Sequence, residues 1–228
     1  GYLDQLKESL DKRELNLESL RINITDPYLI DLFKKTLISG NDEQKLFVLN
    51  EIENLSLDQW GYELADIFHN GSNNIRSKIL SIALSDRHIL TDHVIAELVN
   101  SPDDPLRPMG VIIAAKRRLT HIIPSLKKLP INTNLDFQAS ANTAMVILGK
   151  DGKEHARSKL DGMLNAPNVK LQIAAVKATS NFPELLTNEQ LKRSIQSSHS
   201  ELQILGTKII SNRQISDLLP CIIENLKN

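Results

Sequence analysis

The stretch "KLQIAAVKA", Lys170 to Ala178, recurs 31 residues later as "ELQILGTKI", Glu201 to Ile209. Leu, Gln, Ile and Lys keep their offsets, and Ala175 is matched by Gly206. The pattern extends backwards through "DFQASANTA" (Phe137-Gln138, then Ala141), "PLRPMGVII" (Leu106-Arg107, then Gly110) and "NIRSKILSI" (Ile75-Arg76, then Ile79). The polar anchors Arg76, Arg107, Gln138, Gln172 and Gln203 are thus spaced 31, 31, 34 and 31 residues apart, and the small residues Gly110, Ala141, Ala175 and Gly206 keep step. Self-similarity at such a period is the mark of a repeat architecture.

Each copy sets apolar residues at helical spacing, as in Ile75, Ile79, Leu80, Ile82 and Ala83, so each buries one stripe. A Gly or Ala on that stripe admits a neighbouring helix at close range. Between copies lies a second amphipathic segment, for example Leu64, Ile67 and Phe68, or Leu160, Met163 and Leu164. Junctions such as "HNGSNN", "NSPDDP", "NAPN" and "SSHS" supply the residues that stop one helix and cap the next. Two helices per unit of this length cannot bury their faces alone and must stack on a neighbour.

The spacing predicts six helix pairs, roughly 28–55, 58–85, 89–119, 120–149, 152–180 and 187–212. Residues 28–228 therefore read as one repeat array, and residues 1–27 as an amphipathic helix (Tyr2, Leu3, Leu6, Leu10) followed by a tether that caps it. Residues 215–227 read as a first helix without its partner, either a cap or the opening of a further repeat.

The composition fits helix-on-helix packing. Aromatics make up 4% of the chain, too few for a sheet sandwich. Cys221 is the single cysteine, which excludes an internal disulfide framework and suits a reducing compartment. No apolar run approaches the roughly 20 residues that span a bilayer, and no signal peptide opens the sequence, so a cytoplasmic location is expected. The glycosylation sequons at Asn23, Asn54 and Asn70 read as chance in an Asn-rich chain.

The repeats resemble the HEAT family. Its second helix opens with an apolar-Arg pair followed by small residues, as at Ile75-Arg76 and at Leu106-Arg107 through Gly110. Its first helix carries an early proline, as in "IIPSL" (Ile122 to Leu126) and "LLPCI" (Leu218 to Ile222). The resemblance implies an all-α fold, a right-handed α-α superhelix of armadillo type. Gln138, Gln172 and Gln203 depart from the usual Arg, so neutral hydrogen bonds must replace a charged ladder in the C-terminal half. The family's second helices line the concave surface. That implies contact positions at Asn73, Asn74, Ser77, Ser81, Thr143, Lys170, Lys177, Glu201 and Lys208. A second resemblance rests on Tyr2, Leu3, Leu6, Ser9, Leu10, Ile24, Asp26 and Pro27. It is to the soluble region that follows the membrane part of some bacterial nucleotide-carrier-like (ADP/ATP translocase-type) transporters, and it implies a regulatory or scaffolding segment.

No motif carries catalysis, and no metal ligand set or cofactor is expected. His88 and His93 are five apart and do not share a helix face as a zinc pair would. "GKDGKEH" lacks the spacing of a phosphate loop and reads as a helix end and turn. Cys221, among Leu218, Leu219, Ile222 and Ile223, reads as a small hydrophobe. Net charge is −1, so the whole chain does not look like a nucleic-acid binder.

The charge is unevenly spread. Residues 1–66 carry net −7, whereas residues 105–135 hold no acid and six bases: Arg107, Lys116, Arg117, Arg118, Lys127 and Lys128. These six are the candidate patch for an anionic partner; the plain alternative is cations favoured at helix C-termini by the macrodipole. Two functions remain to be weighed. One is a non-enzymatic solenoid that binds another protein or another domain of its own polypeptide. The other is a nucleic-acid-acting protein of the HEAT-like DNA-glycosylase type, which needs aromatic side chains beside its basic cleft. Trp60 and Tyr62 lie in the acidic third, which counts against it.

Overall fold

The computed structural model describes residues 27–53, 60–127, 134–149, 151–213, 215 and 218. The expected N-terminal helix and tether, the residues of the transporter resemblance up to Asp26, and almost all of 215–227 with Cys221 lie outside the described residues. Among the described residues there are 12 α-helices and no strand. They fall into the six pairs that the spacing predicts. The pairs are α1 (Pro27–Ser39) with α2 (Asp42–Ile52), α3 (Gly61–Asn70) with α4 (Asn73–Ser85), and α5 (Asp92–Val99) with α6 (Arg107–Lys116). Then follow α7 (Ile123–Lys127, entered by a 3-10 turn, Thr120–Ile122) with α8 (Leu135–Leu148), α9 (Lys153–Leu164) with α10 (Val169–Thr179), and α11 (Asn188–Ile195) with α12 (Ser200–Arg213).

The junction residues form these boundaries by capping. The second helices α2, α4, α8 and α10 start after Asn41, Ser72, Asn134 and Asn168, whose side-chain oxygens accept from the backbone N–H groups of Gln44, Ile75, Asp136 and Lys170. Asn41 with Gln44, and Thr187 with Gln190 at α11, complete reciprocal capping boxes. Each such cap contributes about 1 kcal/mol by satisfying an amide that the helix leaves open.

The chain divides into two compact units, Gly1–Thr91 and Asp92–Asn228. In the first, α1 packs on α3 and α2 on α4, while each pair also closes on itself (α1 on α2, α3 on α4). The core there holds Phe33, Leu37, Leu49, Ile52, Trp60, Leu64, Ile75 and Ile79. In the second unit, the second helices form an unbroken series: α6 touches α8, α8 touches α10, and α10 touches α12. The first helices α5, α7, α9 and α11 each pack on their own partner, and α9 also packs on α8.

The small residues of the repeat set the closeness of each pair. A Cβ at Gly110 of α6 would lie 2.8 Å from Leu98 Cδ2 of α5. A Cβ at Gly206 of α12 would lie 3.0 Å from Ser194 Cβ and 3.3 Å from the Ile195 backbone nitrogen of α11. The stripe position is small because the first helix of the same pair occupies the space a side chain would need.

Candidate functional site

The anchor residues turn out to be joints. Arg107 donates from Nε to the Val99 carbonyl at 2.7 Å, tying the start of α6 to the end of α5. Gln172 donates from Nε2 to the Ala166 carbonyl (2.5 Å), and Gln203 does the same to the Ser197 carbonyl (2.8 Å). In all three the side chain reaches back across the intra-pair turn and satisfies a carbonyl just vacated by the first helix. A guanidinium and a carboxamide serve equally because each needs only one donor there. Arg76 instead lies over the Phe68 ring at 4.9 Å and donates to Asn73. Gln138 also has interaction partners.

The cations of the central repeat differ in burial and in partners. Arg107 is half-buried, stacks on the Phe137 ring at 3.8 Å, and burial lowers its pKa from the usual guanidinium value. The side chain of Arg117 is only 4% exposed and pairs with Asp92 at 3.3 Å, at the first residue of α5. Arg118 takes a left-handed conformation (φ 62°) that ends α6, and Nη1 donates to the Ile147 carbonyl in the last turn of α8 (3.0 Å). Lys116 and Lys127 are exposed; Lys128 lies outside the described residues. Three of the six cations, Arg107, Arg117 and Arg118, are thus engaged with groups on other helices.

The positions implied for the concave face separate likewise. In the first unit, Asn73 and Asn74 are exposed, while Ser77 and Ser81 are half-buried and Ser81 donates to the Lys78 carbonyl (2.8 Å). In the second unit, Thr143 is 0% exposed, and its hydroxyl oxygen has no hydrogen-bond partner. It belongs to α8, which, like α6, is covered on nearly every side. Lys170, Lys177, Glu201 and Lys208 are exposed on α10 and α12. Lys177 lies 3.9 Å from Asp136 of α8. The residue aligned with Ile173 of α10 is Ile204 of α12, and its side chain stands 67% exposed. On α10, Lys170 and Lys177 stand exposed with half-buried Ile173 between them, and on α12 Glu201, Ile204 and Lys208 stand exposed, each set on one side of its helix by the i, i+3, i+7 spacing.

The asparagines that close the first helices are a set that the sequence reading missed. Asn70, Asn100 and Asn165 donate from Nδ2 to the carbonyls of Asp66, Ala96 and Asp161, at 3.2, 2.9 and 2.8 Å. Asn100 Oδ1 then accepts from Ser125 of α7 (2.6 Å), and Asn165 Oδ1 accepts from Arg193 of α11 (2.7 Å). One side chain thus ends its own helix and holds the first helix of the next pair. The signal was present in "HNGSNN", "NSPDDP" and "NAPN", where the Asn reads only as a helix stop.

Chemistry is sparse. Among the described residues no group of three His, Cys, Asp or Glu side chains could hold a metal ion, and no helix is long and apolar enough to cross a membrane. No family model, no curated protein and no solved structure matches the chain.

Proposed function

We propose that this chain is a non-catalytic protein-interaction domain, a HEAT-type α-solenoid in which the helix pairs build a right-handed superhelix. It would act as a scaffold or regulatory segment toward another protein or another domain of its own polypeptide. The observation that carries the reading is the serial contact of second helices, α6 to α8 to α10 to α12, of which α6, α10 and α12 are each tied to the first helix of the pair through a close-approach glycine or a turn-bridging Arg or Gln. Such a stacked series supports a protein-binding reading, because a partner laid along it would draw specificity from many modest contacts.

The nucleic-acid alternative is poorly supplied. Trp60 is fully buried and cannot stack on a base, and Arg107, Arg117 and Arg118 hold helices together. Binding to single- and double-stranded DNA across a salt series separates the two. No binding at physiological salt is expected. Micromolar binding whose logarithm falls linearly with that of the salt concentration, and which a Lys116→Glu/Lys127→Glu variant loses, overturns the reading, because counterion release produces that slope.

A further inference from the structure

We infer that Asn70 is a site of spontaneous covalent modification, converted to aspartate or isoaspartate by its own backbone when the end of α3 opens, and that the product loosens the α3–α4 turn. The inference does not depend on the protein-interaction reading above. Asn70-Gly71 is the single Asn-Gly step in the chain, and Asn70 is exposed to water. In such a step no side chain shields the glycine amide, so its nitrogen can attack the asparagine Cγ. The new C–N bond closes a succinimide, the Cγ–Nδ2 bond breaks, and ammonia leaves with the amide proton. Water then opens the ring at either carbonyl, giving aspartate, or isoaspartate with one more methylene in the backbone. Solvent water is the one co-reactant.

The fold both calls for this step and holds it closed. A Cβ at Gly71 would lie 2.6 Å from the Ile67 carbonyl oxygen and 3.0 Å from Ile75 Cγ2, so a side chain there would force the turn apart. Where Asn100 and Asn165 end their helices, Ser101 and Ala166 follow instead. In the closed turn both reacting groups are held by other partners. Gly71 N–H donates to the Ile67 carbonyl at 2.7 Å. Asn70 Nδ2 donates to the Asp66 carbonyl at 3.2 Å and to Asp66 Oδ1 at 3.4 Å. These bonds belong to the last turn of α3, and helix ends fray first. Attack on Cγ therefore waits for that turn to open, and its rate follows the open fraction. Reaction removes the Nδ2 donor and sets a carboxylate four residues from Asp66, at the helix end where the macrodipole disfavours negative charge. The extra methylene of isoaspartate shifts Ser72, which accepts from the Ile75 N–H to cap α4 and donates to Asp42 of α2. One reaction thus acts on α2, α3 and α4.

The test incubates the whole chain in warm, mildly alkaline buffer, both folded and in denaturing guanidinium chloride. Mass spectrometry follows the peptide that contains Asn70, and isoaspartyl methyltransferase labelling distinguishes the two products. The mass gain of an amide-to-acid exchange is expected at Asn70 ahead of every other asparagine, about tenfold slower in the folded chain than in denaturant. Asn70→Gln, whose longer arm would have to close a larger ring, should show no such gain at that position. The modified folded chain, separated by charge, should exchange amide hydrogens faster in α3 and α4 while α9 to α12 stay as in the fresh protein. Asn70→Asp should shift exchange in the same direction by less, since it adds the charge without the methylene. An Asn70 that stays intact in the unfolded chain overturns the proposal, as does one that reacts equally fast folded and unfolded. So does modified protein whose α3 and α4 exchange as in the fresh chain, a result that needs no variant to fold.

Discussion

Thr143 shows how far a single residue can depart from the pattern that places it. By register it aligns with Lys177 and Lys208, both exposed, yet its side chain lies in the interior with a hydroxyl that no donor or acceptor meets. A buried hydroxyl without a partner forfeits its hydration and gains nothing in return, at a cost of about 1–3 kcal/mol. Thr143→Val keeps the shape, and the two residues have nearly the same helix propensity. It should therefore leave stability unchanged or raise it by about 1 kcal/mol, read as a higher urea midpoint at constant m. A loss above about 1 kcal/mol would show that the hydroxyl is satisfied after all. Arg117, whose side chain is about as enclosed, is paired with Asp92, so removing Asp92 would leave a buried cation without its counter-charge.

At the level of helices, the decisive contact is the approach of α6 to α5 at Gly110. Any Cβ there meets Leu98 within a distance that real side chains do not adopt, so the pair must spread or Leu98 must leave its rotamer. Gly110→Val is expected to cost about 1–3 kcal/mol in equilibrium unfolding. Combined with Leu98→Ala, which empties the space the new side chain needs, the loss should fall clearly below the sum of the two single losses. Strict additivity would mean that the two helices do not meet at that point. These pairings were legible in the sequence because a small residue recurs at one offset, and helix ends were legible because Asn and Ser recur just before the second helices. The exposed face was less so. α6 reads "RPMGVIIAAK" and α8 "LDFQASANTAMVIL", with apolar or small residues on every side. A helix without a polar stripe announces full burial, whereas a family-wide face assignment presumes a stripe, so Thr143 was misplaced. The arginines of the central repeat misled for a related reason: charge can be counted along a sequence, but Asp92 and the Ile147 carbonyl come within reach only after folding.

On the scale of the whole molecule, stability should follow neighbours. In each unit a pair is held by the pair beside it, through ties between residues about one repeat apart: Lys34 with Glu63 at 2.7 Å, Asn100 with Ser125, and Asn165 with Arg193. A structure built of such nearest-neighbour terms loses order from the site of damage outward. Gly206→Val strains α12 against α11, since a Cβ there already meets Ser194 Cβ at 3.0 Å and the backbone of Ile195 at 3.3 Å. Amide hydrogen exchange on this variant should show faster exchange in α11 and α12, a smaller change in α10, and protection in α1 to α4 equal to that of the parent chain. A uniform loss of protection would mean that the chain opens as one cooperative body, and the repeat-by-repeat account would then fail.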